Sequence, residues 1–381
     1  MKKSLVTGLM AVVMTVGVMS ACGSNTEVAA QSGTTEGILS DESKMKEEST
    51  GDSSANIASD EEAKKAGILN DYENTEELLE KFPILNETPV EDGIGKKIQN
   101  RLLTGFENWN RGFDAWKAWG DILYTGESIY NVHGARMTLA EYQAAMDVSL
   151  QQMDIQMGNF NNMLICDNWT AIYYDTTMNG KPSNVMEFVE FKDYGDELGT
   201  RVVEGWGGPK DDSFAGMQYF QTDEEKARQQ EMFDEILAYE IPKEEDLTKK
   251  YPVKNPTTDN SDMAAEIRGA LLKDFDEFNK GADEYETWCD GFFAKDAVIT
   301  AYGEAYDREG YARYVKDTAS STEISKLYFD NMLISGDWAA IHYRTVEKNL
   351  ATGDREPDDK MEFFHFVKDG DRVKVDKCIK K

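Results

Sequence analysis

Positive charge is scarce in this chain. Its 381 residues carry 41 Lys+Arg against 72 Asp+Glu, a formal net charge of −31. A nucleic-acid binder needs a basic face to displace counterions, so this balance argues against that class. Histidine is scarcer still: His133, His342 and His365 are all there are. They show no His-x-x-x-His spacing, and the cysteines no Cys-x-x-Cys spacing, so no metal centre is predicted. The acidic stretch Asp354, Glu356, Asp358, Asp359 lacks the central Gly and terminal acid of a calcium loop and reads as a solvated charged loop. Four cysteines are too few for a disulfide scaffold. No cofactor is expected.

Residues 23–60 contain no aromatic residue and are rich in Ser, Thr, Gly and Glu. Such a stretch cannot bury enough surface to offset the entropy of ordering it. It reads as a tether, extending over residues 22–73. Before it, Lys2 and Lys3 precede an uncharged, largely apolar run from Ser4 to Ala21, which ends in Met19-Ser20-Ala21-Cys22. That order resembles a bacterial lipoprotein signal peptide over residues 1–21, with Cys22 as the lipidated residue. The other reading is an uncleaved membrane anchor. Both put the rest of the chain outside the cytoplasmic membrane, and lipidation makes it a membrane-anchored protein on the extracytoplasmic side.

What the chain does have is a repeat. Hydrophobic residues make up 40% and aromatics 11%, enough for a folded core. Shifted by 169 positions, residues 75–176 align with 244–345 without a gap, and about 28 of the 102 positions are identical. Asn162-Met163-Leu164-Ile165 matches Asn331-Met332-Leu333-Ile334. Trp169, Ala171, Ile172 and Tyr174 match Trp338, Ala340, Ile341 and Tyr343. A six-residue longer loop in the second copy then moves the offset to 175, so that Met186-Glu187-Phe188 matches Met361-Glu362-Phe363. The body is therefore two related units, 74–210 and 243–381, joined by 211–242. The join carries a helix at 222–240, with Met232, Phe233, Ile236 and Leu237 on one side.

Each unit opens with helices. Phe106, Trp109, Phe113, Trp116, Gly120 and Leu123 recur three and four apart, as do Phe275, Phe278, Ala282, Tyr285, Cys289 and Phe292, and each set predicts one long helix. Thr138 with Glu141 fits a capping box, and Asp307 is the matching N-cap. Strands follow at 159–165, 169–177 and 185–192, and at 328–334, 338–346, 360–368 and 372–377. Helices first and an antiparallel meander last make each unit α+β.

The long aromatic helix, the Trp-x-Ala-Ile-x-Tyr strand at 169–174 and 338–343, and the hairpin that reads Phe-x-x-Phe-Lys-Asp at 188–193 and Phe-x-x-Phe-x-Lys-Asp at 363–369 carry a resemblance. Each unit resembles the SnoaL-like branch of the nuclear transport factor 2-like superfamily. The resemblance covers both units and implies a cone-shaped curved sheet wrapped on helices, whose mouth takes a small apolar ligand. It further implies that enzymes of this kind use a His or Asp base with a Tyr donor inside the cone.

No candidate base recurs at matched positions. His133 corresponds to Tyr302, and His342 to Tyr173. Alternation puts Trp169, Ala171, Tyr173 and Asp175 on one strand face, and Trp338, Ala340, His342 and Arg344 on its counterpart. Ile172, Tyr174 and Thr176 share the other face, which is identical in both copies and reads as core. The divergent face is pocket or exterior. As pocket, Tyr173 with Asp175 suits proton transfer beside a carbonyl, and His342 with Arg344 suits an anion. Glu187 and Glu362 are the matched carboxylates, either pocket acids or partners of a neighbouring cation. A Cys289–Cys378 bond is open, and Cys289 otherwise reads as a buried thiol.

Three functional readings follow. The first is a non-catalytic, membrane-anchored protein whose two cones bind a small ligand or an envelope partner. The second is a SnoaL-like isomerase, cyclase or dehydratase acting on a small apolar carbonyl compound. The third is a structural pseudo-dimer, the two units packing sheet to sheet.

Overall fold

The computed structural model describes residues 60–65, 75–86, 88–90, 93–132, 135–151, 153–195, 199–207 and 222–381. Cys22, His133 and most of the 22–73 tether lie outside the described residues. A short helix, α1 (Asp60–Lys65), falls within the tether range. No helix among the described residues is long and apolar enough to cross a membrane.

The first unit runs α2 (Thr75–Lys81), β1 (Ile84–Asn86), α3 (Ile94–Asn110), α4 (Phe113–Leu123), β2 (Tyr124–Val132), β3 (Ala135–Thr138), α5 (Leu139–Leu150), β4 (Ile155–Cys166), β5 (Trp169–Met178), β6 (Lys181–Asp193) and β7 (Thr200–Gly207). Its seven strands lie in the order β1-β4-β5-β6-β7-β2-β3. After the linking helix α6 (Asp223–Ala238), the second unit repeats the plan. It runs α7 (Leu247–Lys250), β8 (Val253–Pro256), α8 (Asp262–Phe278), α9 (Tyr285–Phe292), β9 (Phe293–Ala301), β10 (Glu304–Tyr306), α10 (Arg308–Thr318), β11 (Thr322–Ser335), β12 (Trp338–Asn349), β13 (Arg355–Asp369) and β14 (Arg372–Lys380). Its sheet, read β8-β11-β12-β13-β14-β9-β10, has the same order as the first. The architecture is two tandem α+β units.

Both sheets are mixed. β4 to β7 and β11 to β14 form the antiparallel meanders, while β1–β4, β2–β7, β8–β11 and β9–β14 pair in parallel. The parallel pairs arise because β1, β2, β8 and β9 reach the meander through helices rather than through hairpins.

Each predicted long helix is in fact two. α3 ends at Asn110 and α4 begins at Phe113, because Gly112 takes φ 111°, a left-handed value that breaks the helix. Gly281, at φ 99°, does the same between α8 and α9. The Asn just before each break then clamps the sheet. Asn110 exchanges two hydrogen bonds with the Met157 backbone, at 2.9 and 2.7 Å, and Asn279 does so with Lys326, at 2.8 and 2.9 Å. The Thr138–Glu141 capping box forms, and Asp307 caps α10. Thr222 with Glu225 adds a second capping box at the start of α6.

In each unit one sheet face lies under the helices and forms the core, including Phe160, Ile172, Tyr174 and Phe191 in the first and Phe329, Ile341, Tyr343 and Phe364 in the second. The identical face of the Trp-x-Ala-Ile-x-Tyr strands is thus the helix-covered one. The outer faces meet each other. Leu164, Trp169, Ala171, Tyr173, Phe188 and Trp206 form one buried cluster with Leu333, Trp338, Ala340 and Phe363. The Cys166 thiol donates to the Ile334 carbonyl across this seam at 3.3 Å.

Candidate functional site

The interiors of the two units are built alike and filled differently. Glu187 faces Ile172 across the β5–β6 ladder, and Glu362 faces Ile341 across β12–β13, so both carboxylates stand at the same place on the helix-covered face.

In the first unit the neighbours are phenols. Tyr174 donates to Glu187 Oε1 at 3.0 Å, and Tyr130 donates to the same carboxylate. Tyr124, Tyr130, Tyr142 and Tyr174 are all buried around it. Two glycines of β7 make the room: a Cβ on Gly205 would stand 2.3 Å from the Tyr130 ring, and one on Gly207 2.5 Å from Glu187 Cγ. Burial pushes the Glu187 carboxyl up to about 7, against the two phenolic hydrogen bonds that pull it down. A carboxyl held there exchanges protons near neutral pH.

In the second unit β14 supplies side chains instead. Cys378 and Lys380 stand where Gly205 and Gly207 stand in the first. Lys380 Nζ donates to Glu362 at 2.7 Å, and Tyr343 donates to the same oxygen. Burial works to raise the Glu362 carboxyl, but the Lys380 and Lys326 ammoniums outweigh it and hold it below its ordinary value. Lys326 is bonded to Asp274 at 2.5 Å, and Trp288 Nε1 donates to Asp274 at 2.8 Å. Position 274 corresponds to Gly105, so the first unit has no acid there, and Trp119 donates to Thr104 at 3.4 Å instead.

Above this floor lies a cavity of about 260 Å³. Its wall includes Tyr302, Tyr311, Tyr314, Tyr343, Lys360 and Glu362. Lys360 pairs with Glu347 at 3.0 Å and Asp358 at 2.5 Å and lies over the Tyr302 ring. Each lysine in the wall is therefore matched by a carboxylate. The cavity offers aromatic faces and hydrogen-bonding groups rather than an unbalanced charge.

Of the residues singled out from sequence, Glu187 lies in the first interior, and Tyr302 and Glu362 line the second. The strand residues lie elsewhere. Trp169, Tyr173 and Trp338 are buried in the seam between the sheets, so placing them in a cone pocket is corrected. Helices cover the opposite face of their strands. Burial, with Asp175 nearby, pushes the Tyr173 phenol up to about 12. Asp175 accepts from Asn161 at 2.7 Å. His342 contacts the Trp206 ring at 5.0 Å and Asp359 at 3.3 Å. Arg344 is bonded to Asp330 at 2.5 Å, and its guanidinium lies over Trp206 at 4.5 Å. Neither of these last two faces the interior of the second unit.

Cys166, Cys289 and Cys378 are free buried thiols, so no Cys289–Cys378 bond forms. Burial pushes both Cys166 and Cys289 up to about 12, which leaves them inert as nucleophiles. Among the described residues no group of His, Cys, Asp and Glu is placed to hold a metal ion. Sequence reasoning missed Lys326, Lys360 and Lys380. The available signal was a lysine on the core-facing register of an otherwise apolar strand.

Two tandem α+β units, each with a carboxylate on a helix-covered sheet floor, define the class. SnoaL-like and nuclear transport factor 2-like proteins are among the solved structures to which the chain is similar. No family model matches the chain, and no curated protein does. Solved structures similar to it include a ketosteroid isomerase-like protein from Erwinia carotovora atroseptica, at 21% identity and TM-score 0.27, covering 32% of this chain and 96% of that one. A SnoaL-like polyketide cyclase from Jannaschia matches at 16% identity and TM-score 0.27, covering 32% and 89%. A nuclear transport factor 2-like protein of unknown function from Exiguobacterium matches at 14% identity and TM-score 0.25, covering 29% and 95%. Each match spans a length that fits one of the two units. The likeness is one of fold, and the reactions those names mention stay with those proteins.

Proposed function

We propose that this chain is a membrane-anchored, extracytoplasmic binding protein, in which the second unit holds a small, uncharged, largely apolar ligand. The observation that carries the reading is the 260 Å³ cavity over the Glu362–Lys380 pair. Its size lies just below the roughly 300–1,000 Å³ of sites for drug-sized ligands, which suits a small molecule. Its tyrosine faces suit an apolar body, and its paired charges offer hydrogen bonds without calling for a countercharge. The lipoprotein-like segment ending at Cys22 supports the anchoring. The seam between the sheets supports a structural role for the outer faces, which leaves the interiors for ligand.

Native mass spectrometry of the chain purified from its own host tests this. A reproducible extra mass that disappears on denaturation is expected. Ile324→Trp, which fills the cavity from its wall, should abolish it. A clean apo mass even with excess host lipid-and-metabolite extract would count against the reading.

A second reading rests on Glu187. A carboxyl that titrates near neutrality among hydrogen-bonding phenols suits a general acid–base, with Tyr174 as donor to a developing oxyanion. Under this reading Glu187→Gln abolishes turnover of a small carbonyl compound, and Asp175→Asn does not.

A further inference from the structure

The carboxylate on the floor of the second unit's cavity is well served on one oxygen and poorly on the other. Glu362 Oε1 accepts from Lys380, at 2.7 Å, and from Tyr343. Among the described residues Glu362 Oε2 has one contact, the Cys378 thiol at 3.9 Å, which is a weak donor at long range. Glu362 is 2% exposed and lines the cavity. A buried charged acceptor short of donors is costly and calls for an explanation.

The repeat supplies a comparison. In the first unit two phenols, Tyr174 and Tyr130, donate to Glu187. Tyr174 has its counterpart in Tyr343. The place of Tyr130 is taken by Ile299, which stands opposite Cys378 as Tyr130 stands opposite Gly205. The second unit therefore lacks one of the two hydroxyls. Lys380 makes up the count on Oε1 but not on Oε2.

The cavity narrows the chemistry of an outside donor. Its wall includes Tyr302, Tyr311, Tyr314 and Tyr343, whose rings suit an aromatic body. An amine would be protonated and would meet the Lys326 and Lys380 ammoniums of the same wall. A carboxylic acid would be ionised and would bring an acceptor to an acceptor. An ether or a ketone has no proton to give. A phenol is neutral, with a pKa of about 10, so it keeps its proton beside a carboxyl that lysines hold below its ordinary value. Its oxygen can also accept from Lys326, whose ammonium makes one hydrogen bond among the described residues, to Asp274 at 2.5 Å.

We propose, resting on the reading of this cavity as a ligand site, that its ligand is a simple phenol: the hydroxyl donates to Glu362 Oε2 and the ring lies among the cavity's tyrosines.

The test is calorimetric titration of the full chain in lipid nanodiscs, with empty nanodiscs as the blank, using p-cresol, toluene and 4-methylanisole. p-Cresol should bind about tenfold or more tighter than either of the others, the factor that a hydrogen bond to a charged group supplies. Ile324→Trp, which fills the cavity from its wall, should abolish p-cresol binding. Glu362→Gln is close in shape and can turn an amide N–H to the ligand in place of Oε2. It should cut the advantage of p-cresol over 4-methylanisole to about threefold or less. Glu362→Met/Lys380→Met, which removes both charges, should bring p-cresol and toluene within about threefold of each other. Toluene or 4-methylanisole binding as tightly as p-cresol, and lost in Ile324→Trp, overturns the phenol and leaves the cavity a ligand site. A p-cresol preference undiminished in both Glu362 variants overturns the hydrogen bond and with it the proposal. Absence of p-cresol binding overturns it too, while a host-derived mass lost in Ile324→Trp decides the cavity reading separately.

Discussion

Lys380 donates a 2.7 Å hydrogen bond to Glu362 on the floor of the second unit, and at the matching place in the first unit Glu187 has Gly207 beside it. Lys380 in place of Gly207, with Lys326 in place of Met157, separates two electrostatic states of the same carboxylate. With an ammonium beside it, the carboxyl stays ionised. Without one, and with phenols around it, it is held near 7.

This difference sets a pH dependence for the first unit. Below about pH 4.5 Glu187 is protonated in both folded and unfolded chains. As pH rises the unfolded chain ionises first, while the folded carboxyl resists until about 7. The stability that Glu187 contributes is therefore full at low pH and falls across that window, by about 3 kcal/mol at most. Urea titrations at pH 4.5 and pH 8 should show Glu187→Gln gaining on wild type at the higher pH. Equal differences at both pH values would contradict the assignment.

The second unit responds to loss of its cation. Lys380→Met takes from buried Glu362 the cation bonded to it and should cost about 3–5 kcal/mol. Glu362→Met/Lys380→Met should recover much of that. If the double variant is no more stable than the single one in denaturant titrations, the pair is not the dominant interaction at this floor.

The seam between the sheets is a core in its own right. Phe188 is 0% exposed and contacts His342, with ring centroids 5.7 Å apart. Phe188→Ala should lower stability by about 3–5 kcal/mol. Hydrogen exchange should also quicken in β12 and β13 of the other unit, a response that a defect local to the first unit would not produce.

The anchoring proposal has its own test. Cys22→Ser should abolish incorporation of labelled fatty acid and release the chain from the membrane fraction, or leave it unprocessed. A variant still labelled would place the lipid elsewhere.

Much of the fold was legible along the chain because it depends on local period and on self-comparison. The repeat located both units. Three- and four-residue spacing found the helices, and Thr138 and Asp307 marked their starts. The helix breaks at Gly112 and Gly281 were not read, because a glycine inside an apolar stripe does not announce its φ.

The site was legible only in part, and the reason is geometric. Period-two alternation assigns Trp169 and Tyr173 to one face and Ile172 and Tyr174 to the other. Both faces are apolar, so the pattern cannot say which lies under helices and which meets a second sheet. Packing decided that: the identical face went inside, and the divergent one became the seam. Glu187 and Glu362 could be matched from sequence, but their chemistry depends on what the adjacent strand brings within 3 Å. That strand lies beyond the gapless stretch, with Gly207 in one unit and Lys380 in the other. By itself the sequence determined the number of units, their elements and the matched carboxylates. Only the tertiary structure decided which carboxylate meets an ammonium, since burial and proximity are set by strands distant in sequence and adjacent in the sheet.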